Sequence, residues 1–117
     1  MVLVLLMGLF DPLATAGARR WFLLEPPVDE TSELGKVLDE APIAQWNRIG
    51  TYDTEGTCEA RRNEAVKATR EETMRLTKSS PLPSVDMWRA ADRDRRRAEA
   101  SDCVSADDPR LPPTLSR

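Results

Sequence analysis

The chain opens on an uncharged apolar run, Val2 to Phe10 (VLVLLMGLF), broken at Asp11-Pro12 and followed by the small residues Ala14 to Ala18. This is the form of a secretory leader. An apolar stretch of this length enters the translocation machinery as a helix, Pro12 ends it, and an extended Ala/Gly segment fits a peptidase pocket that admits only small side chains. Ala14-Thr15-Ala16 and Ala16-Gly17-Ala18 both satisfy the small-x-small rule, so a signal peptide is expected over residues 1–18. No Lys or Arg precedes the run, which leaves the terminal amine as its only positive charge. The competing reading is a buried N-terminal strand or helix. A bilayer span needs roughly 20 apolar residues. Asp11, Arg19 and Arg20 interrupt any such window, so no membrane span is expected in the mature chain.

Beyond the leader, Trp21 to Leu24 (WFLL) is a short aromatic and apolar run stopped by Pro26-Pro27, which predicts a strand. Val28 to Glu40 is polar, with Thr31-Ser32 and Gly35, and reads as a surface loop. Gln45 to Tyr52 predicts a second strand. By period two, Trp46, Arg48, Gly50 and Tyr52 share one face, with Asn47, Ile49 and Thr51 on the other. Neither face is cleanly apolar, but Trp, Ile, Thr and Tyr all favour strands.

Thr54 then stands where a helix N-cap is expected, and Glu55 and Glu59 fall near the positive end of the helix dipole. The helix should run from Glu55 to about Thr77. Cys58, Ala65, Val66, Thr69 and Leu76 approximate its buried stripe, while Glu64–Lys67 and Glu71–Arg75 are spaced to pair on the opposite face. So thin a stripe suits a helix lying on a sheet. Ser79 to Pro83 reads as a linker. A second helix follows, from Ser84 as N-cap to about Ala100, with Val85, Trp88, Ala91, Arg95 and Ala98 as its best face. Cys103-Val104-Ser105 fits a brief last strand, and Asp107-Asp108-Pro109 a turn. The expected fold is α+β: two or three short strands covered by one or two helices in one domain over residues 19–111. The chain is expected to fray from Leu111, with a flexible tail over 112–117.

Composition narrows the function classes. At 117 residues there is room for one domain. With 5% aromatic residues a large aromatic core is excluded. The net charge is -3, and loss of the leader removes Asp11, leaving 17 cations against 19 acids, or -2. That balance argues against a protein that coats nucleic-acid backbones, which normally carries a basic face.

Cys58 and Cys103 are the two cysteines. In an oxidising compartment they are most economically joined in one bridge. Closing a loop of about 46 residues contributes roughly 4 kcal/mol in the chain-entropy model, a large share for a domain of this size. Free thiols and metal or redox chemistry are the alternatives. There is no C-x-x-C pair, and with no His a zinc site would have to complete two thiolates with carboxylates. No cofactor is expected.

Three constellations invite a functional reading. The run Arg89, Arg93, Arg95, Arg96, Arg97 has the look of a patch for nucleic acid or anionic lipid. Asp86, Asp92, Asp94 and Glu99 interleave with it, however, and Asp92–Arg96 and Arg95–Glu99 fall at i,i+4, so a solvated, internally paired face is the better account. Asp107-Asp108 offers two carboxylates for a cation, but without a loop motif a turn is favoured. Trp46 and Tyr52 could form a ligand platform, although a small domain usually spends such residues on its core. For catalysis the chain shows no G-x-S-x-G, no Gly-rich phosphate loop and no motif-placed carboxylate pair.

The segments WFLLEPP (Trp21 to Pro27), APIAQW (Ala41 to Trp46), Tyr52-Asp53-Thr54 with Cys58 four residues on, and CVSADDPRL (Cys103 to Leu111) occur in an order that resembles a group of small exported bacterial proteins with two cysteines. The resemblance covers most of the mature chain and is most specific at its CVSADDPRL end. It implies an exported location and a cysteine pair, and brings neither an activity nor catalytic residues. The resulting expectation is a non-catalytic exported module, periplasmic or secreted, that binds an envelope or extracellular protein or contributes structurally. A small enzyme or enzyme inhibitor of unrecognised type, and a non-exported cytosolic protein, are the alternatives.

Overall fold

The computed structural model describes residues 20–32 and 35–112. The expected leader over 1–18 lies outside the described residues, as does the tail beyond Pro112. Among the described residues, five strands and two long helices follow in the order β1 (Trp21–Glu25), β2 (Val28–Asp29), β3 (Lys36–Val37), β4 (Asn47–Tyr52), α1 (Glu55–Thr77), α2 (Val85–Ala100) and β5 (Asp102–Ser105), with a 3-10 turn at Ile43–Gln45 before β4. The expected α+β architecture is what forms: a three-stranded antiparallel sheet and a pair of helices.

The sheet runs in the order β4-β1-β5, so the most apolar segment is its central strand. Leu23 meets Cys103 on β5 and Gly50 on β4. Phe22, Leu23 and Leu24 are all buried because the sheet is covered on both faces, and a strand buried on both sides reads as a continuous apolar run. On one face Leu23 packs with Cys58 and Cys103, flanked by Trp21 and Tyr52. On the other, Phe22 and Leu24 pack with Val104, Ala106 and Leu111, and Ile43 and Trp46 close over them. Trp46 is fixed there by its indole N–H, which donates to the Ala41 carbonyl at 2.8 Å.

Both helices begin where the sequence places them. Thr54 accepts from the Thr57 amide at 3.1 Å, and Ser84 accepts from the Met87 amide at 3.2 Å. Each cap satisfies an amide that the first helical turn leaves without a partner. Cys58, in the first turn of α1, is joined to Cys103 on β5 with 6.1 Å between Cα atoms, which pins the helix to the sheet. Arg62 on α1 adds a polar tie. Its guanidinium donates to the carbonyls of Ser101 at 2.6 Å and Glu99 at 2.7 Å, where α2 runs out and its last carbonyls lack helical partners. Of the stripe expected on α1, Cys58 and Leu76 are buried, and Ala65, Val66 and Thr69 are half-buried.

Four expectations need correction. Val28 to Glu40 is not simply a loop: β2 and β3 pair in a small antiparallel hairpin that buries Val37. The strand expected from Gln45 starts at Asn47, because Ile43–Gln45 winds into a 3-10 turn that carries Ile43 and Trp46 over the core. Leu111 does not fray; it is buried in the cluster around Phe22. The exposed pairs on α1 are Arg61–Glu64 and Glu72–Arg75 in place of Glu64–Lys67 and Glu71–Arg75: Glu64 pairs one turn back, and Arg75 takes the neighbouring acid. Adjacent acids and bases offer several i,i+3 and i,i+4 choices of nearly equal worth.

A β-bulge explains a further difference. Leu23 pairs with Gly50 and Leu24 with Arg48, so Ile49 is an extra residue, unpaired and 47% exposed. The bulge reverses the parity of side chains along β4. Arg48 lies over the Phe22 ring at 4.9 Å, while Tyr52 packs beside Leu23 on the helix face. Trp46 and Tyr52, alike in parity along the chain, therefore stand on opposite faces of the sheet.

Candidate binding groove

The arginine run of α2 divides by helical geometry. Residues four apart stand one turn above another on the same face. Arg95 and Arg96 belong to an ion-pair network. Arg95 meets Asp92 at 2.6 Å and Glu99 at 3.1 Å, Arg96 meets Asp92 at 3.0 Å, and Arg70 from α1 reaches Glu99 at 2.8 Å. The hydrogen bond from Arg95 holds the Asp92 carboxyl below its usual range, and the bond from Arg70 does the same for Glu99. The two i,i+4 pairs expected from the sequence are both formed.

Arg89, Arg93 and Arg97 make a separate column. They line an open groove of about 660 Å³ between α2 and the β2–β3 hairpin, with Pro27 to Glu30, Ser32, Gly35 and Asn47 on its other side. Their states differ along the column. Arg97 is spent on the fold: it donates to the Pro26 carbonyl at 3.0 Å and pairs with Glu25 at 3.1 Å, tying the β1–β2 corner to the end of α2. Among the described residues, the ion pair of Arg93 is with its neighbour Asp94 alone, at 3.2 Å. Arg89 is exposed and has no ion pair among the described residues.

Two features of the hairpin shape the opposite wall. Gly35 has φ +60°, a conformation side chains disfavour, and a Cβ there would lie 3.1 Å from the Arg93 Cδ. The missing side chain lets the arginine stem pass close to the backbone. Asp29 accepts from the Thr31 amide at 3.0 Å and the Thr31 hydroxyl at 2.6 Å, which shapes the turn and holds its carboxyl below the usual range. Asp29 is thus an ionised structural acid, the wrong state for a proton donor at neutral pH. Glu30 and Asp86 are exposed at the groove. The groove therefore presents guanidinium donors and carboxylate acceptors side by side, a surface suited to a polypeptide segment of mixed charge. A polyanion would meet repulsion from Glu30 and Asp86.

The other candidates fall elsewhere. Cys58 and Cys103 are joined and buried, away from the groove-lining residues. Trp46 and Tyr52 serve the two core clusters on opposite sides of the sheet and cannot form one platform. Asp108 is engaged by Arg110, through the backbone amide at 2.9 Å and the guanidinium at 2.8 Å, and its own amide donates to the Ser105 carbonyl. Asp107-Asp108 is the expected turn. Among the described residues no group of three His, Cys, Asp or Glu side chains gathers in a metal-holding arrangement, and no helix is long and apolar enough to cross a membrane.

The hairpin side of the groove falls in the segment whose polar composition predicts a loop. Asp29-x-Thr31 and Gly35 were its only local signals, an Asx turn and a glycine turn. Comparison with protein-family models, with curated proteins and with solved structures returns no match.

Proposed function

We propose that this chain is an exported, non-catalytic binding module, periplasmic or secreted, whose partner is an envelope or extracellular protein seated in the groove between α2 and the β2–β3 hairpin. One observation carries the reading: Arg89 and Arg93 stand one turn apart on the groove and, among the described residues, one meets no carboxylate and the other only that of its chain neighbour. The remaining arginines of the run are committed to the fold. Planar guanidinium groups with free donors recognise carboxylates in two-point geometry. Glu30 and Asp86 beside them favour a segment carrying both signs of charge. Export is supported by the leader pattern, by the resemblance to small exported bacterial proteins, and by a bridge of the kind that oxidising compartments maintain.

The test is site-specific photo-crosslinking in an exporting host. A crosslinker at position 89 should give a discrete adduct that Arg93→Glu removes, while one at position 61, on exposed α1, gives none. The exported chain should have a mass matching cleavage after Ala16 or Ala18, with two thiols alkylated only after reduction. Equal labelling from both positions would sink the groove as the site. An uncleaved chain with free thiols would sink export.

A further inference from the structure

Large exposed apolar side chains are gathered, rather than scattered, on this molecule. Among the described residues they are Ile49, Met74, Leu82, Val85 and Met87, and all but Ile49 belong to the end of the helical pair where α1 stops and α2 begins. Leu82, between Pro81 and Pro83, is 75% exposed. Val85 and Met87 are 63% and 51% exposed, although two helical residues are separated by about 200° around the axis. Met74 on α1 is 56% exposed. The apolar surface thus surrounds this tip on several sides. A folded partner covers one side of a helix, whereas a fluid apolar medium accepts a tip that is apolar all round.

The charge of the same region points the same way. Between Thr73 and Arg89 the chain carries Arg75, Lys78 and Arg89 against Asp86 alone, in a protein whose net charge is -3. Counting Glu72, which pairs with Arg75 at 2.6 Å, the tip remains cationic. Lys78 has no ion pair among the described residues, and Trp88, half-buried in the first turn of α2, brings the kind of ring that favours the headgroup level. We infer that the α1–α2 tip docks on an anionic lipid surface, with Leu82, Val85 and Met87 entering the acyl boundary and Lys78 meeting the headgroups. Apolar insertion and charge attraction act together in such contacts.

Hydrogen exchange read by mass spectrometry on the full chain tests this locally, so that the apolar N-terminus does not confuse the result. Vesicles of phosphatidylcholine containing phosphatidylglycerol should slow exchange over residues 78–88 by roughly tenfold. Vesicles of phosphatidylcholine alone should do so far less, and high salt should remove the difference. A Leu82→Ser/Val85→Ser/Met87→Ser variant should lose the protection while exchange in β1 and β5 stays unchanged. The inference is overturned if vesicles leave residues 78–88 unprotected, or if the triple variant keeps the protection. It is equally overturned if raising the protein concentration without lipid gives the same slowing, which would make the tip a contact between copies.

Discussion

Tyr52 lies back along its own strand, and its ring occupies the space where a side chain at position 50 would begin. A Cβ on Gly50 would stand 2.7 Å from the phenol ring carbon that bears the hydroxyl. Gly50→Ala should therefore cost about 1–3 kcal/mol in urea denaturation, an overpacking penalty. In combination with Tyr52→Ser the loss should be smaller than the sum of the two single changes, because they share one contact. Asp108 makes a second residue-scale case. The Arg110 side chain and amide hold its carboxyl at about 2, down from 3.8. A depressed carboxyl takes up its proton more readily in the unfolded chain, so its contribution is full above the unfolded value. It is lost as pH falls from about 4 to 2. Asp108→Asn should flatten the fall in urea midpoint across that window and leave the midpoint's pH dependence above pH 5 unaltered. The turn at Asp107-Asp108 was legible from residue type. The pairing with Arg110 was not, because the two residues meet across a turn at Pro109, outside any helix or strand whose period could be read.

At the scale of elements, the helices were the most legible part, since capping and helix-forming residues act locally. Thr54→Ala removes the acceptor for the Thr57 amide and should lower stability by about 1 kcal/mol, seen as a reduced urea midpoint with an unchanged slope. Strand β1 was legible because burial on both faces makes it continuously apolar. Two features were not. The β2 and β3 strands are two residues each, too short to leave any periodicity. The bulge at Ile49 changes which face a residue occupies, and its one local sign, the neighbouring Gly50, does not say which residue is the extra one. For the same reason the groove could not be read from the sequence: the arginines of α2 were visible, but the hairpin that faces Arg89 and Arg93 was not.

For the molecule as a whole, two small apolar clusters on either side of one sheet hold the fold, and the Cys58–Cys103 bridge joins the face that α1 covers. A domain this small gains much from a covalent tie. Replacing both cysteines by serine should cost about 2–5 kcal/mol, measured by urea denaturation against the oxidised parent. The α+β class was legible from the succession of one strong strand, two capped helices and a terminal strand. The sheet order was not, since only tertiary contact brings the last strand beside the first.

The bridge also fixes what happens when the backbone is cut. Cys58 and Cys103 are 45 residues apart, and nearly all of the helical pair lies between them. A protease that cleaves the exposed linker between α1 and α2 opens a closed ring and releases nothing. The nicked protein should keep a single mass, increased only by one water, until reductant is added, and then separate into two peptides. Where proteases are abundant, such a molecule would survive its first cut in one piece.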